Sequence, residues 1–437
     1  MKHLFVTILL FIFLFLPNST FAYDPLSVPN NIYGIGVINH SDLEDVSNLV
    51  NVNGGDWGYV KVVITEKDRN KEVWQKFLDD CRRLRLIPII RTATSFDGKN
   101  WVKPSIEDID NWIEFFNSLN WVIENRYIII SNEPNHSKEW GGDINPQEYA
   151  EYLKTFSQKL KSSNPDYFIL NAGFDQMALN SNVTMDQKKF ISLMLKEAPD
   201  VFDYVDGWNS HSYPNPAFSG PRNGSGKNSV RGYLWELDLI NKKLPVFITE
   251  TGWVRNNKNG QLIAENLRYA FEEIWMKDKS IVAVTPFILN YQSEPFYEFS
   301  WKNKDGSYYK IYEEIQSIQK VKGVPVQKIN GDVIFSFLNP LIFDRYEHKG
   351  FLAVKNTGQA IWTQSESNVF NESDPQTGSY EIKISNTKFS NIEPFKTGLV
   401  VYTLSAPDQK GSYPIKLGFY VKGERIGEAY NGKIISF

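Results

Sequence analysis

The sequence is poor in the residues that build disulfides and metal sites. Cys81 is the only cysteine among 437 residues, so no disulfide can form within the chain. It stands in the helical pattern KEVWQKFLDDCRRLR, where we expect a small packed side chain rather than a nucleophile. With five histidines and no cluster of metal-ligand spacing, the sequence predicts no catalytic metal and no other cofactor.

An excess of positive charge and a phosphate-binding loop are also lacking. The formal net charge is -4, with 47 Lys and Arg against 51 Asp and Glu. Nucleic acids and anionic membrane surfaces require concentrated positive charge, so neither is a predicted partner. The absence of G-x-G-x-x-G and Walker-type loops argues against a doubly wound open sheet, which often carries a Gly-rich phosphate-binding turn. An uncharged substrate fits this composition better.

Long apolar runs are confined to the N-terminus. Lys2 and His3 precede an apolar run from Leu4 to Leu16, and a polar segment then ends in Thr20-Phe21-Ala22. This pattern is typical of a secretory signal peptide, and the run is short for a membrane span. We therefore predict a signal peptide over residues 1–22 and a secreted or extracytoplasmic mature protein. An uncleaved membrane anchor is the alternative.

From residue 23 to about residue 320, short apolar runs alternate with amphipathic stretches of helical period. This alternation indicates repeated βα units and a parallel sheet. The predicted strands are IYGIGV from Ile32, YVKVVI from Tyr59, IPIIR from Ile87, YIIIS from Tyr127, YFILN from Tyr167, YVDGWN from Tyr204, VFIT from Val246 and IVAVTPFIL from Ile281. A helical segment follows each strand. Eight such units predict an α/β domain with a (β/α)8 TIM barrel over residues 23–320, and a doubly wound open sheet is the alternative.

Helical periodicity ends after about residue 320. Runs such as VIFSFL, GFLAVKN, SYEIKIS, LVVYTLS, PIKLGFYVK and GKIISF are separated by Gly, Pro, Asn and Asp. Short strands joined by regular turns predict an all-β sandwich over residues 321–437. The segments VKNTGQAIWT and YTLSAPDQKGSYPIKLGFYV resemble immunoglobulin-like accessory domains of secreted enzymes. Trp362 in the first segment is expected in the sandwich core rather than on a sugar-binding surface.

Two glutamates stand where a barrel carries its chemistry. Glu133 follows the apolar run YIII in the segment SNEPN, and Glu250 follows VFI in the segment TETGW. These positions are the C-terminal ends of predicted strands four and seven, where barrel enzymes place catalytic side chains. Cleavage of a glycosidic bond needs such a pair, one to protonate the leaving oxygen and one to attack or activate water. The alternative is that both carboxylates cap the helices that follow.

The two segments resemble those of a clan of retaining glycoside hydrolases with (β/α)8 barrels. In that clan an Asn-Glu-Pro motif supplies the acid/base, and a glutamate at the end of strand seven is the nucleophile. The resemblance implies that Glu133 is the acid/base and Glu250 the nucleophile of a double displacement. It also implies that Asn132 hydrogen-bonds the sugar hydroxyl next to the anomeric carbon. The two carboxyl groups are then expected about 5 to 5.5 Å apart.

The sequence leaves open which residues contact this pair of glutamates. Related barrels place a His or Tyr beside the nucleophile at the end of strand six, where His211 and Tyr213 are both candidates. Relatives also hold the nucleophile with an arginine from strand two, but this chain offers Lys61 there and Arg91 at the end of strand three. Lysine lacks the bidentate guanidinium fork, so the two residues are not equivalent.

Aromatic residues near the strand ends are candidates for stacking against sugar rings. Trp140 follows the Asn-Glu-Pro segment and Trp253 follows Glu250, so both are predicted substrate-binding residues. Strand eight offers Phe287 where relatives often have a tryptophan floor.

Together these features predict a secreted retaining glycoside hydrolase with a carbohydrate substrate, a poly- or oligosaccharide with β linkages. The alternatives are a carbohydrate-binding barrel without turnover and a surface adhesion protein on a barrel scaffold.

Overall fold

The fold is taken from a computed structural model, which describes residues 22–256, 258–343, 346–373, 382–407 and 409–437. The predicted signal peptide lies outside these residues except for Ala22. Among the described helices, none is long and apolar enough to cross a membrane.

Strands and helices alternate through the described residues up to 320. The strands are β1 (Gly34–Gly36), β2 (Gly58–Thr65), β3 (Leu86–Ala93), β4 (Arg126–Ile130), β5 (Tyr167–Leu170), β6 (Trp208–His211), β7 (Val246–Glu250) and β8 (Ile281–Val284). The helices are α1 (Leu43–Val50), α2 (Lys71–Arg83), α3 (Ile109–Asn117), α4 (Pro146–Ser163), α5 (Gln187–Glu197), α6 (Gly232–Ile240), α7 (Gly260–Glu273) and α8 (Lys310–Gln316). Each predicted strand overlaps one of these strands, and the predicted α/β class is confirmed.

All neighbouring strands of this domain are parallel. β1 to β5 form one sheet in chain order, and β6 to β8 form a second. Isolated parallel bridges pair Leu170 of β5 with Gly207, and Tyr33 with Val284 of β8. The sixth strand begins later than the predicted Tyr204, because Val201–Asp203 forms a 3-10 turn whose carbonyl at Val201 accepts the Tyr204 N–H.

Large side chains fill the space between the strands. The rings of Tyr127, Phe168 and Phe247 pack with centroids 5.1 to 5.6 Å apart, on β4, β5 and β7. A filled interior leaves the strand ends as the place where a ligand can bind. On the outside of the sheet Cys81 of α2 is completely buried, as expected for a packed side chain.

The described residues after α8 form two four-stranded sheets. The strands are β9 (Gly331–Leu338), β10 (Leu341–Ile342), β11 (Glu347–Asn356), β12 (Ser367–Asn371), β13 (Ile384–Lys388), β14 (Thr397–Ser405), β15 (Gly411–Val421) and β16 (Glu424–Ser436). Their orders are β10-β16-β15-β12 and β13-β14-β11-β9, and every pair is antiparallel except β10 with β16. Trp362 is completely buried in the core of this domain, as predicted. The predicted strand SYEIKIS lies partly outside the described residues.

The β domain contacts the α/β domain at the N-terminal ends of its parallel strands. Val324 N–H donates to Pro29 O at 2.8 Å, ahead of β1, and Glu124 N–H donates to Val326 O at 2.9 Å, ahead of β4. The Gln359 amide donates to Ile123 O at 2.8 Å. The C-terminal ends of the parallel strands, which carry the predicted catalytic residues, are therefore at the opposite side of the domain.

Candidate active site

Glu133 stands on a strained turn directly after β4. The φ angles of Ser131 and Glu133 are 73° and 30°, in a region that residues with a side chain rarely adopt. The Glu133 N–H donates to Gly173 O at 3.0 Å, which ties this turn to the segment after β5. Non-glycine residues keep such a conformation only where surrounding contacts enforce it, and these sites are often functional.

Glu250 is the last residue of β7 and lies close to Glu133. One oxygen of each carboxylate and a ring nitrogen of His211 all lie within 4.8 Å of one another. Glu133 Oε1 is 2.8 Å from His211 Nδ1, and Glu250 Oε2 is 3.8 Å from the same nitrogen. The fold thus brings the ends of β4, β6 and β7 to one point, and two carboxylates share one imidazole there.

Two further side chains hold Glu250. The Lys61 ammonium from β2 donates to Glu250 Oε1 at 2.8 Å, and Tyr213 donates its hydroxyl to Glu250 Oε2 at 3.3 Å. Both side chains are buried. Of the pairs that the sequence left open, Tyr213 and Lys61 contact Glu250 directly, whereas His211 lies against Glu133.

The surrounding charges keep Glu250 ionised. Burial by itself would raise its pKa, but the positive charges of Lys61, His211 and Arg91 outweigh burial and lower the pKa to about 2. For His211, burial lowers the pKa, and the negative charges of Glu250 and Glu133 outweigh this and raise it. Burial and the charge of Glu250 raise the pKa of Tyr213, so its hydroxyl stays a donor.

Glu133, His211 and Glu250 also offer three ligand atoms at a spacing that a metal ion could use. The Lys61 ammonium already binds Glu250 at 2.8 Å, and the side chain of Arg91 adds a second positive charge beside it. A divalent cation would be repelled by both groups. The donor set is therefore better suited to proton transfer and nucleophilic chemistry than to metal binding.

A cleft of about 670 Å³ opens above Glu250. Its polar floor includes Lys61 and Arg91, and its apolar lining includes the side chains of Ile38, Val73, Trp101, Phe287, Tyr291 and Phe296. Phe287, which follows β8, is among the aromatic residues that line the cleft. Trp101, Tyr291 and Phe296 were not singled out in the sequence. They stand in the segments after β3 and β8, where no motif marks them.

Asn132 and Arg91 line a narrow recess next to this cleft. Among the described residues, neither the Asn132 Oδ1 atom nor the Arg91 Nε atom has a hydrogen-bond partner, although both atoms are buried. Glu139 lines the same recess and was not predicted, because it comes six residues after Glu133 in a loop without a recognisable motif.

The prediction that Trp140 and Trp253 stack against substrate needs correction. Trp140 is 1% exposed, donates to Glu148 Oε2 at 3.1 Å, and packs against Tyr149 and Tyr152. Trp253 is 4% exposed and donates to Gly220 O at 2.8 Å. Both rings are enclosed by protein, and their indole N–H groups donate to partners inside the fold. Neither ring therefore offers a face to a sugar.

Comparisons with known proteins give only distant likenesses. No family model matches the chain, and no curated protein sequence matches it. A triply substituted endo-beta-1,4-glucanase from Xanthomonas axonopodis pv. citri is 13% identical, with a TM-score of 0.46 over 65% of this chain and 98% of that chain. A beta-mannanase from Thermomonospora fusca is 15% identical, with a TM-score of 0.41 over 65% and 87%. A family 51 alpha-L-arabinofuranosidase from Bifidobacterium longum is 10% identical, with a TM-score of 0.43 over 87% and 95%. At these values the likeness carries no conclusion about activity.

Proposed function

We propose that the protein is a retaining glycoside hydrolase in which Glu250 is the nucleophile and Glu133 the general acid/base. The observation that carries this proposal is the approach of the two carboxylates, of which one oxygen each lies within 4.8 Å of the other, beside a cleft that Glu250 lines. Retaining enzymes need carboxyl groups about 5 to 5.5 Å apart, whereas inverting enzymes need about 6.5 to 9.5 Å to admit a water molecule. The short separation favours retention.

In the first step, Glu250 attacks the anomeric carbon while Glu133 donates a proton to the leaving glycosidic oxygen. The bond to the leaving group breaks, and an ester between Glu250 and the sugar forms. Glu250 suits this role because Lys61 and His211 keep it ionised, with a pKa of about 2.

In the second step, Glu133 accepts a proton from water, and the water oxygen attacks the anomeric carbon. The ester bond breaks, Glu250 leaves as a carboxylate, and Glu133 is again protonated. His211 bridges both carboxyl groups, at 2.8 Å from Glu133 and 3.8 Å from Glu250, and can hold Glu133 in position through both steps. Tyr213 orients the other side of Glu250.

The proposal includes the fold and the location of the protein. The chain order of β1 to β8 and the bridges at Leu170 and Tyr33 support a closed (β/α)8 barrel. The two facing antiparallel sheets support an immunoglobulin-like accessory sandwich that begins near residue 321. The apolar N-terminal segment supports export with cleavage after Ala22.

A neutral carbohydrate suits the cleft. Charges of both signs line it, Lys61, Lys67 and Arg91 together with Asp68 and Glu250, so it has no surface of a single sign that would select a charged ligand. Aromatic side chains such as Trp101 and Tyr291 offer faces against which sugar C–H groups can pack. A β-linked poly- or oligosaccharide is the proposed substrate class.

The test is a screen of soluble β-linked glucans, xylans, mannans and galactans with sizing of the products. We expect the wild type to hydrolyse one class and Glu250→Ala to lose roughly 10³-fold or more of kcat. Azide should then rescue both catalytic variants with different stereochemistry. Glu250→Ala should give the glycosyl azide of opposite anomeric configuration to the substrate, and Glu133→Ala should give the azide of the same configuration.

Glu265→Ala is the matched control, because this exposed glutamate of α7 lies away from the cleft. Its activity should equal that of the wild type. A wild type that binds these glycans without cleaving any of them would overturn the proposal in favour of a carbohydrate-binding protein. Products of inverted configuration from the wild type would overturn the assignment of Glu250 as nucleophile.

A further inference from the structure

A groove of about 300 Å³ opens on the β domain, outside the domain that carries the cleft. It lies between β12 and β13, which are end strands of the two sheets. Side-chain hydrogen bonds link the two strands here, since the Val369 N–H donates to Thr387 Oγ1 at 3.3 Å and the Asn371 amide donates to Ile382 O at 3.3 Å. The residues that line the groove are Asn368, Val369, Phe370, Asn371, Ile384, Ser385, Asn386 and Thr387.

The lining of this groove is neutral and rich in groups that form hydrogen bonds. None of the lining residues is ionisable, so the groove offers no counter-charge to a charged ligand. Three asparagine amides and two hydroxyls line it, and each of these groups can both donate and accept a hydrogen bond. Among the described residues, the side-chain amides of Asn368 and Asn386 have no hydrogen-bond partner. Both amides are therefore available to a ligand that carries hydroxyl groups.

Phe370 adds an apolar surface to the same groove. It is 52% exposed, and its ring packs edge-on against Tyr420 with the centroids 5.4 Å apart. This contact holds the ring in place and leaves part of it open to solvent. A fixed aromatic ring beside amides and hydroxyls suits a ligand that presents C–H groups on one face and hydroxyls at its edges. Sugar rings have this arrangement.

The backbone of β13 argues against a peptide strand as the occupant. The register between β13 and β14 shifts between Ile384 and Asn386, so Ser385 is the extra residue of a β-bulge. The Ser385 hydroxyl donates to Thr403 O at 3.4 Å. A bulge on an end strand hinders the pairing of a further strand and re-aims the neighbouring side chains. Side chains, rather than a backbone edge, are thus what the groove presents.

We propose that the groove between β12 and β13 is a second carbohydrate-binding site, which holds a segment of a neutral polysaccharide without cleaving it. This inference goes beyond the proposed function, because it assigns binding to the β domain. None of the groove residues lines the cleft, so a glycoside that fills the cleft alone leaves the groove empty. A polymer long enough to reach both sites is bound by both, which raises its apparent affinity without a change in the catalytic step.

The test is native electrophoresis of the full chain in gels that contain a neutral soluble polysaccharide. Hydroxyethyl cellulose, arabinoxylan, galactomannan and galactan are the four probes. All binding variants carry Glu250→Ala, so that the probe is not consumed. At least one probe should retard Glu250→Ala. Addition of Phe370→Ala should raise the dissociation constant for that probe about 3- to 10-fold, the effect of a lost aromatic contact.

Asn386→Asp is the second variant, because it keeps the size of the side chain but replaces a donor with a negative charge. It should also weaken binding of the same probe. Phe337→Ala is the matched control, since Phe337 is likewise 52% exposed but lies on β9, at the opposite end of the sheet from β13. It should leave the retardation unchanged. In the presence of Glu250, Phe370→Ala should raise KM for the polymer and keep the wild-type kcat/KM for an aryl glycoside.

Three results would overturn the inference. The first is that no probe retards Glu250→Ala. The second is equal retardation with and without Phe370→Ala for every probe, which would place all glycan binding in the cleft. The third is an oligomer of the wild type, seen by sedimentation velocity, that Phe370→Ala dissociates while retardation stays the same. That result would identify the groove as a contact between copies. Failure of the proposed function is distinguishable, because a wild type without hydrolytic activity would still be retarded through the groove.

Discussion

Lys61 is a buried cation whose only close anionic partner among the described residues is Glu250, 2.8 Å away. A buried ion pair is weak support for stability, because the desolvation of both charges offsets their attraction. The ion pair has a stronger effect on the protonation of Glu250. The charge of Lys61 is the largest of the effects that lower the pKa of Glu250.

Replacement of Lys61 by methionine removes the charge and keeps the length of the side chain. Because burial then acts on Glu250 with less opposition, its pKa should rise, by about 1–3 units for a lost neighbouring charge. The acid limb of the kcat/KM profile should move to higher pH by a similar amount. Lys71→Met, at the exposed start of α2, should leave the limb in place. An unmoved limb in Lys61→Met would contradict the ion pair's assigned role.

Individual residues differ in how far the sequence predicts them. Glu133 and Glu250 are found from the polar residues that follow an apolar run, since a parallel strand carries its functional groups at its C-terminal end. The sequence cannot decide whether Lys61 or Arg91 contacts Glu250, because the two residues lie on neighbouring strands and both line the same cleft. Only the three-dimensional structure shows which of them does. Glu139 was not predictable either, because its pKa of about 7 depends on burial and on the charges of Arg91 and Glu133, which no local pattern shows.

At the scale of elements, the segment after β5 supports the segment after β4. Gly173 O accepts the N–H of Glu133, and the ring of His211 packs directly on Gly173. A Cβ at position 173 would overlap the His211 ring at Cδ2 and Nε2, and residues 172 and 174 on either side are buried. Only glycine therefore leaves room for His211 at its place between the carboxylates.

Substitution of Gly173 by alanine should displace His211 and, with it, Glu133. A misplacement of about 1 Å can reduce kcat about 100-fold, and we expect a loss of 10- to 100-fold with a changed pH profile. Gly260→Ala is the matched control, because a Cβ there meets no atom of the described residues within 4 Å beyond its own chain neighbours. Steady-state kinetics across the pH range measure the effect. Unchanged kinetics in Gly173→Ala would show that His211 does not position Glu133.

Strands and helices were predictable where the sequence has an uninterrupted apolar run or a clear helical period. The apolar runs of β2 to β5 and β7 predict strands that the structure contains, since a strand covered on both faces is apolar throughout. The strained turn after β4 was not predictable, because Ser131 and Glu133 are not residues that favour positive φ. That turn is held by the contact to Gly173, which is distant in sequence.

At the scale of the whole molecule, the two domains are joined at the side opposite the cleft. Gln359 of the β domain is 5% exposed and bridges the junction. Its amide donates to Ile123 O at 2.8 Å, and its carbonyl oxygen accepts the Lys328 N–H at 2.9 Å. The Lys328 ammonium pairs with Asp166 ahead of β5. None of these residues lines the cleft, so the junction can stabilise the enzyme without contributing to the cleft.

Gln359→Ala should therefore separate stability from activity. It removes the partner of the buried Ile123 carbonyl and of the part-buried Lys328 N–H, which we expect to lower the free energy of unfolding by about 1–3 kcal/mol. Differential scanning calorimetry should show a lower Tm, and hydrolysis assays below that temperature should give an unchanged kcat/KM. Gln364→Ala, exposed in the same domain, should change neither quantity. A raised KM in Gln359→Ala with an unaltered Tm would contradict this division, because the junction would then affect substrate binding in the cleft instead of holding the two domains together.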